Sequence, residues 1–294
     1  MARRSGAHGG LAMSLALGTS LLWPGVAAGV NSLTDSGGYQ ITSHFETPAG
    51  VTTSSIALND PVVLSIGGEG PESPISGLAI TDQLPAGLVV AATPNVIRAG
   101  GFTSGTVTAQ PGSSTISLTG LGFPADAGTG AVRVTLTATS PGLKQDSLTN
   151  ISSDQGGPAS VVDGSVDVVA PPVIGTVFDP TSLSAPGSAH LKFIITNPRG
   201  NDVALTNVSV FDSAMPMSVD NTSSATCGGW LSTGLFAGME VNLTGASIAV
   251  GGICTFSVGV STTFPGYYSV PSQVQSDNGG TGNTSTAALS VGYA

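Results

Sequence analysis

Gly77-Leu-Ala-Ile-Thr-Asp82-Gln-Leu-Pro85 and Asn207-Val-Ser-Val-Phe-Asp212-Ser-Ala-Met-Pro216 are two versions of one element, a short apolar strand that meets an Asp shortly before a Pro. The echo continues along the chain. Ile116-Ser-Leu-Thr-Gly120 returns as Val241-Asn-Leu-Thr-Gly245, Pro141-Gly142 as Pro265-Gly266, and Ser153-Asp-Gln-Gly-Gly157 as Ser276-Asp-Asn-Gly-Gly280. The four matches keep their order at an offset between 123 and 130 residues. A period that long is a whole domain rather than a solenoid unit, so the chain is a tandem duplication.

Outward from these anchors, each copy reads as a series of strands. The first offers 62–66, 78–80, 87–91, 115–118 and 132–138, the last alternating apolar and polar residues as a half-buried strand does. The second offers 189–195, 208–210, 239–243, 254–260 and 287–291. Gly, Pro, Asn and Asp punctuate the intervals, and no helical period occurs outside the N-terminal leader. About seven short strands per copy predict an all-β chain of two tandem immunoglobulin-like antiparallel β-sandwiches. The expected domains are 32–170 and 173–294. Pro171-Pro172 marks the boundary, because proline cannot donate to a sheet ladder. So short a linker predicts domains lying end to end with restricted freedom.

The leader begins Met1-Ala-Arg3-Arg4, runs through an acid-free apolar stretch, and closes on Pro24-Gly-Val26-Ala-Ala28. This is the pattern of a signal peptide, residues 1–28, cleaved between Ala28 and Gly29. The alternative is an uncleaved anchor, but Gly18, Ser20 and Pro24 interrupt the run short of the roughly 20 residues that a span needs. No later segment reaches membrane length, so no stable membrane span is expected. The product reads as secreted, extracellular or held at the cell surface.

The chain of 294 residues carries 7 Lys and Arg against 17 Asp and Glu, a net charge of −10. Only Lys144, Lys192, Arg98, Arg133 and Arg199 remain as cations beyond the leader. Five scattered cations make no basic patch, which excludes nucleic acid and disfavours anionic membrane surfaces. Disorder combines low hydrophobicity with high charge. Here only 8% of residues are charged and mean hydropathy is +0.32, so the chain reads as folded.

Few side chains offer chemistry. Cys227 and Cys254, an even pair in an exported chain, predict a disulfide. A thiol or metal site there would need further ligands, and the nearest His in sequence is His190. His44 and His190 belong to no His-Glu-x-x-His or Gly-x-Ser-x-Gly pattern, so no catalytic residue is assigned and no enzyme is expected. Asp82 and Asp212 read as turn caps acting through their own side chains. The Ser-Asp-x-Gly-Gly stretches read as hairpin turns in which Gly supplies positive φ. Their exposed oxygens suit Ca²⁺ as an alternative, but no dense Asp-x-Asp-x-Asp-Gly run supports it, and no cofactor or metal is expected. Trp230, Tyr267 and Tyr268 are the candidate ligand contacts, able to stack on sugars or anchor a partner. The plainer alternative is core packing or cover for the disulfide.

The second copy also carries Phe178-Asp-Pro180-Thr-Ser-Leu-Ser-Ala-Pro-Gly187-Ser, Thr196-Asn-Pro198, Cys227-Gly-Gly229 and Cys254-Thr. The first carries Thr81-Asp82-Gln-Leu-Pro85-Ala-Gly87-Leu88. Together these resemble the DUF11-like domains, including the DUF7933 group, of bacterial surface and secreted proteins. The resemblance implies an immunoglobulin-like fold and a surface or extracellular role, with no activity attached to any residue. The expected function is a non-enzymatic structural or adhesive protein of the bacterial exterior. The alternative is a carbohydrate- or partner-binding module that uses exposed aromatics of the second domain. The partner expected is an unidentified cell-surface or extracellular one. Self-association through the terminal strand 287–291 is a further option, set against its use as an ordinary closing strand. The copies differ most at the Cys pair and Trp230, which directs attention to the second.

Overall fold

The computed structural model describes residues 39–69, 73–158, 160–214, 216–222, 225–233 and 240–293. The expected signal peptide, residues 1–28 with its Ala28–Gly29 junction, lies outside the described residues. Every regular element described is a β-strand. In the first copy, one sheet runs in the order Ser160–Val162, Gln40–Glu46, Pro61–Glu69, Thr129–Ala138 and Leu88–Val90, with Ile97–Gly100 also on Thr129–Ala138. A second orders Leu148–Ser152, Ile75–Gln83, Thr115–Phe123 and Thr106–Ala109. A small third sheet joins Gly142–Gln145, Ser165–Val169 and Ser55–Ala57. In the second copy, Val173–Asp179, Ser188–Thr196, Ile253–Ser261 and Ser218–Thr222 form one sheet. The other runs Ser182–Leu183, Gly280–Val291, Gly266–Ser276, Leu205–Ser213, Glu240–Ile248 and Trp230–Thr233.

Alternation builds each sandwich. Along Ser188–Thr196, Ala189, Leu191, Phe193 and Ile195 are buried while His190, Lys192 and Ile194 face out. Each copy closes its own core. Phe45, Leu64, Ile80, Leu118 and Val134 belong to the first. Phe178, Phe193, Val210, Leu243 and Phe256 belong to the second, where Phe193 and Phe256 stack with ring centroids 4.4 Å apart. Full burial of such a side chain contributes about 1.5–3 kcal/mol, which makes these two clusters the main stabilising force.

The strands exceed seven per copy: 13 segments precede the Pro pair and 10 follow it among the described residues. Three short edge pairings are parallel, including 40–42 with 160–162. The repeated motifs prove to be the joinery of matching bulges. The register of Ile75–Gln83 against Thr115–Phe123 shifts between Ile75 and Leu78, and that of Leu205–Ser213 against Glu240–Ile248 between Leu205 and Val208. Gly77 and Asn207 take positive φ at these shifts, at 64° and 48°. The Ser-Asp-x-Gly-Gly stretches clamp them. Asp154 N–H donates to Ser76 O while Gln155 Oε1 accepts from Ser76 N–H; Asp277 N–H and Asn278 Oδ1 do the same to Thr206. The second stretch is also a hairpin, with Ser276 opposite Gly280. The first is a turn between strands of different sheets.

Asp82 and Asp212 correct the sequence reading. Neither caps a turn. Both lie inside strands, on the side that faces the core, and are buried.

Between the copies the chain is tied directly. Val169 packs in the second core. Asn201, 1% exposed, accepts from the Ala170 N–H at 2.6 Å and donates to Ala170 O at 2.9 Å and to Asn197 Oδ1 at 2.7 Å. Asn197 in turn donates to the carbonyls of Val203, Ile248 and Ala249. Asp202 Oδ2 accepts from the Leu143 N–H at 2.7 Å.

Candidate functional site

Cys227-Gly-Gly-Trp230 is the segment in which the second copy departs most from the first. Cys227 and Cys254 form the expected disulfide, which joins the turn before Trp230–Thr233 to Ile253–Ser261 of the opposite sheet. Cys227 O accepts from the Ser247 N–H, and the Thr226 N–H donates to Thr255 O, so both sheets hold this turn. Gly229 has a φ of 83°, and a Cβ there would stand 2.6 Å from Thr244 O. Only glycine fits. The first copy has the same device at Gly105, with a φ of 75° and Thr119 O at 2.6 Å from an added Cβ. The scaffold is shared, and what it presents is not: Thr106 follows Gly105 and Trp230 follows Gly229.

The structure separates the three candidate aromatics. Trp230 is 72% exposed on an edge strand, so it neither packs in the core nor covers the bridge. Tyr267 is 74% exposed. Tyr268 corrects the expectation of a ligand contact: it is 7% exposed, and its hydroxyl meets Thr262 Oγ1 at 2.6 Å and Phe264 O at 2.7 Å. Alternation turns its ring into the core and leaves no face for a ligand. Nor do Trp230 and Tyr267 share a site. Register sets Val274, Val210, Leu243 and Leu231 in one row. Tyr267 and Trp230 lie on opposite sides of that row, about eight positions or 25 Å apart along the strands. Tyr267 occupies the place held in the first copy by Leu143, whose N–H donates to Asp202 Oδ2.

Phe211, overlooked in the sequence, shares the outer face with Trp230. It is 65% exposed, one position from Val210 on Leu205–Ser213. The signal was present, since an alternating strand that buries Val208 and Val210 must turn Phe211 outward.

Two polar clusters were also missed. Asp82 and Asp146 are both buried between the sheets of the first copy. Burial, and then the Asp146 charge, push the Asp82 carboxyl up to about 8; burial also raises Asp146. Among the described residues, hydrogen bonds from Ser43 and the Ser147 backbone reach Asp146 and oppose its rise, and the remaining link runs between the two carboxyls themselves. A proton held on Asp82 therefore supplies the donor that links the pair. The second copy buries Asp212, pushed up to about 6 by burial, which a hydrogen bond with Ser272 opposes. The second cluster lies on the outer face of the first copy. Glu46, almost fully buried, meets His44 Nε2 at 2.7 Å and Arg133 Nε at 3.0 Å. It floors a cleft of about 600 Å³ between the 47–50 loop and residues 95–97. His190 is exposed beside the Lys192–Asp179 ion pair. Among the described residues, no three His, Cys, Asp or Glu side chains are grouped to hold a metal ion. No helix there is long and apolar enough to cross a membrane.

A family model described as "Domain of unknown function (DUF7933)" matches the chain twice, over residues 46–167 and 172–291. The match carries the DUF7933 part of the resemblance and not the broader DUF11 group. No curated protein matches the chain. Among solved structures, one titled "BspA_C_mut" is similar, with a TM-score of 0.50 and 8% identity over 84% of this chain and 98% of that one. The Streptococcus agalactiae AgI/II polypeptide BspA C-terminal domain gives 0.47 at 8% identity, over 84% of this chain and 99% of that one. The C-terminal domain of the Streptococcus pyogenes antigen I/II-family protein AspA gives 0.44 at 8% identity, over 84% and 98%. At 8% identity the first of these likenesses speaks for the fold alone.

Proposed function

The chain belongs to the DUF7933 family, carrying two copies of its domain, and from that premise we propose that it is a non-enzymatic structural or adhesive protein of the bacterial cell exterior. The observation that carries this reading is the junction. Two sandwiches follow one another with Val169 in the second core, Asn201 clamping Ala170 and Asp202 holding Leu143. A linker held this way suits a stiff spacer or presenting arm better than a hinged enzyme, whose domains close around substrate. The Cys227–Cys254 bridge supports an oxidising compartment, because disulfides persist where the environment oxidises. The acidic balance and scarcity of Lys favour solubility at the exterior and disfavour nucleic acid.

Localisation tests the reading. In intact cells making the tagged full chain, the product is expected in the medium or open to added protease, with both thiols closed to alkylation until reduced. A cytoplasmic pool with free thiols overturns it. So does a hydrolase activity that disappears on replacing His44 or His190.

A further inference from the structure

On the outer face of the six-stranded sheet in the second copy, two large aromatics stand close together among uncharged side chains, far from Tyr267. Register places Trp230 opposite Thr244, and Phe211 opposite Asn242. Gln275 pairs with Ser209 beside the first row, and Gln273 follows beside Phe211. Two strand spacings across and two residues along set the Cα atoms of Phe211 and Trp230 about 12 Å apart on the same face. Both rings are largely in solvent, at 65% and 72% exposure. The side chains around them are amides and hydroxyls, and no Asp, Glu, Lys or Arg lies in these two rows.

The first copy supplies an internal reference. There Val107 pairs with Leu118, which pairs with Ile80, as Leu231 pairs with Leu243 and Leu243 with Val210. That register equates Trp230 with Thr106, Phe211 with Thr81, Asn242 with Ser117 and Thr244 with Thr119. The same face is hydroxyl-lined in one copy and aromatic in the other. Neither aromatic is needed to close a DUF7933 sandwich, and each leaves an apolar ring in water. The disulfide and Gly229 further fix Trp230 before any partner arrives, which lowers the ordering cost of binding.

We propose that this face binds an uncharged, linear polysaccharide lying across the strands, with Trp230 and Phe211 stacking on two of its sugar rings. The chemistry follows from the surface. The C–H face of a pyranose ring covers an aromatic face, while its hydroxyls exchange hydrogen bonds with amide and hydroxyl side chains. Two platforms about 12 Å apart suit separate residues of one extended chain better than a single sugar. A polyanion is disfavoured by the net charge of −10 and by the absence of a cation in these rows. A protein partner is less favoured, because the rows offer no charge to steer it.

This site rests on the adhesive half of the proposed function, and its test is separate. The full chain is run in native gels containing hydroxyethyl cellulose, glucomannan, xylan or mannan, with alginate as the charged comparator. At least one neutral polysaccharide is expected to retard the wild type, and alginate is not. Trp230→Thr and Phe211→Thr install the residues of the first copy, so the fold has a precedent for both. Each is expected to weaken retardation about tenfold or more, while Tyr267→Ala leaves it unchanged. Thermal unfolding of each variant verifies the fold. Retardation by none of the four, equal retardation of wild type and both variants, or Trp230-dependent dimerisation in sedimentation without retardation overturns the site. A null gel beside surface-exposed protein overturns this site alone; cytoplasmic protein overturns the proposed function and leaves the gel result standing.

Discussion

At the scale of single residues, the buried carboxyls make stability depend on pH. Asp82 has an ordinary value of 3.8 and is raised in the folded state to about 8, first by burial and then by Asp146. The folded state therefore holds a proton that the unfolded chain releases above pH 4. That contribution to stability is fully present below the ordinary value and is lost as pH rises through the window from about 4 to about 8. Asp212, raised to about 6, acts in the same direction over a narrower window. Urea unfolding at pH 4, 6 and 8 is expected to show stability falling at each step. Asp82→Asn supplies a donor to Asp146 without a titrating proton, so the variant is expected to match wild type at pH 4 and exceed it at pH 8. A wild type that gains stability across the window would contradict the shared-proton reading. The Asp of the repeated motif was legible in sequence, but its role was not. Asp before Pro has the appearance of a turn cap, whereas bulges at Gly77 and Asn207 set which side of the strand Asp82 and Asp212 occupy.

At the scale of elements, the Cys227-Gly-Gly-Trp230 turn concentrates the difference between the copies. Its disulfide closes a loop with a sequence separation of 27. Loop-closure entropy gives about 3–4 kcal/mol for that length. Replacing both cysteines by Ala is expected to lower the stability of the second copy by about 2–4 kcal/mol in denaturant unfolding. Gly229→Ala tests the turn itself. The new Cβ meets Thr244 O at 2.6 Å in a backbone conformation with positive φ, so a loss above about 1 kcal/mol is expected, with Gly105→Ala behaving alike in the first copy. An unchanged melting temperature for either would refute the account of the turn. Strand existence was legible because alternation survives in short windows such as 132–138. Strand length and count were not, because positive-φ residues such as Gly120 and Gly245 shift the register and break the alternation where each strand continues. Phe211 shows a related limit: alternation with Val208 and Val210 turns it outward, but only the register places it beside Trp230.

At the scale of the whole chain, the junction decides whether two sandwiches behave as one body. Pro171-Pro172 alone would permit many orientations, since a spacer without ladder bonds constrains only its own length. The constraint comes from Asn201, which satisfies both backbone groups of Ala170 from the far side of the spacer. Lys144 and Asp167 of the first copy also sense the second. Burial lowers the Lys144 amine and raises the Asp167 carboxyl, and the Asp202 charge acts on both. Sequence could place the spacer but not the clamp, because Asn201 and Ala170 are 31 residues apart and neither belongs to a motif. Asn201→Ala removes three hydrogen bonds and leaves the Ala170 N–H and C=O without partners, at a cost of about 2–4 kcal/mol. Two outcomes are expected together. Small-angle scattering of the wild type fits a single arrangement of the two sandwiches, and that of the variant requires a wider spread. Calorimetry of the wild type shows coupled unfolding, and in the variant the two transitions separate. A variant that scatters and melts like wild type would mean that Val169 and Asp202 hold the copies without Asn201, and the stiff-spacer reading would then rest on the apolar contact instead.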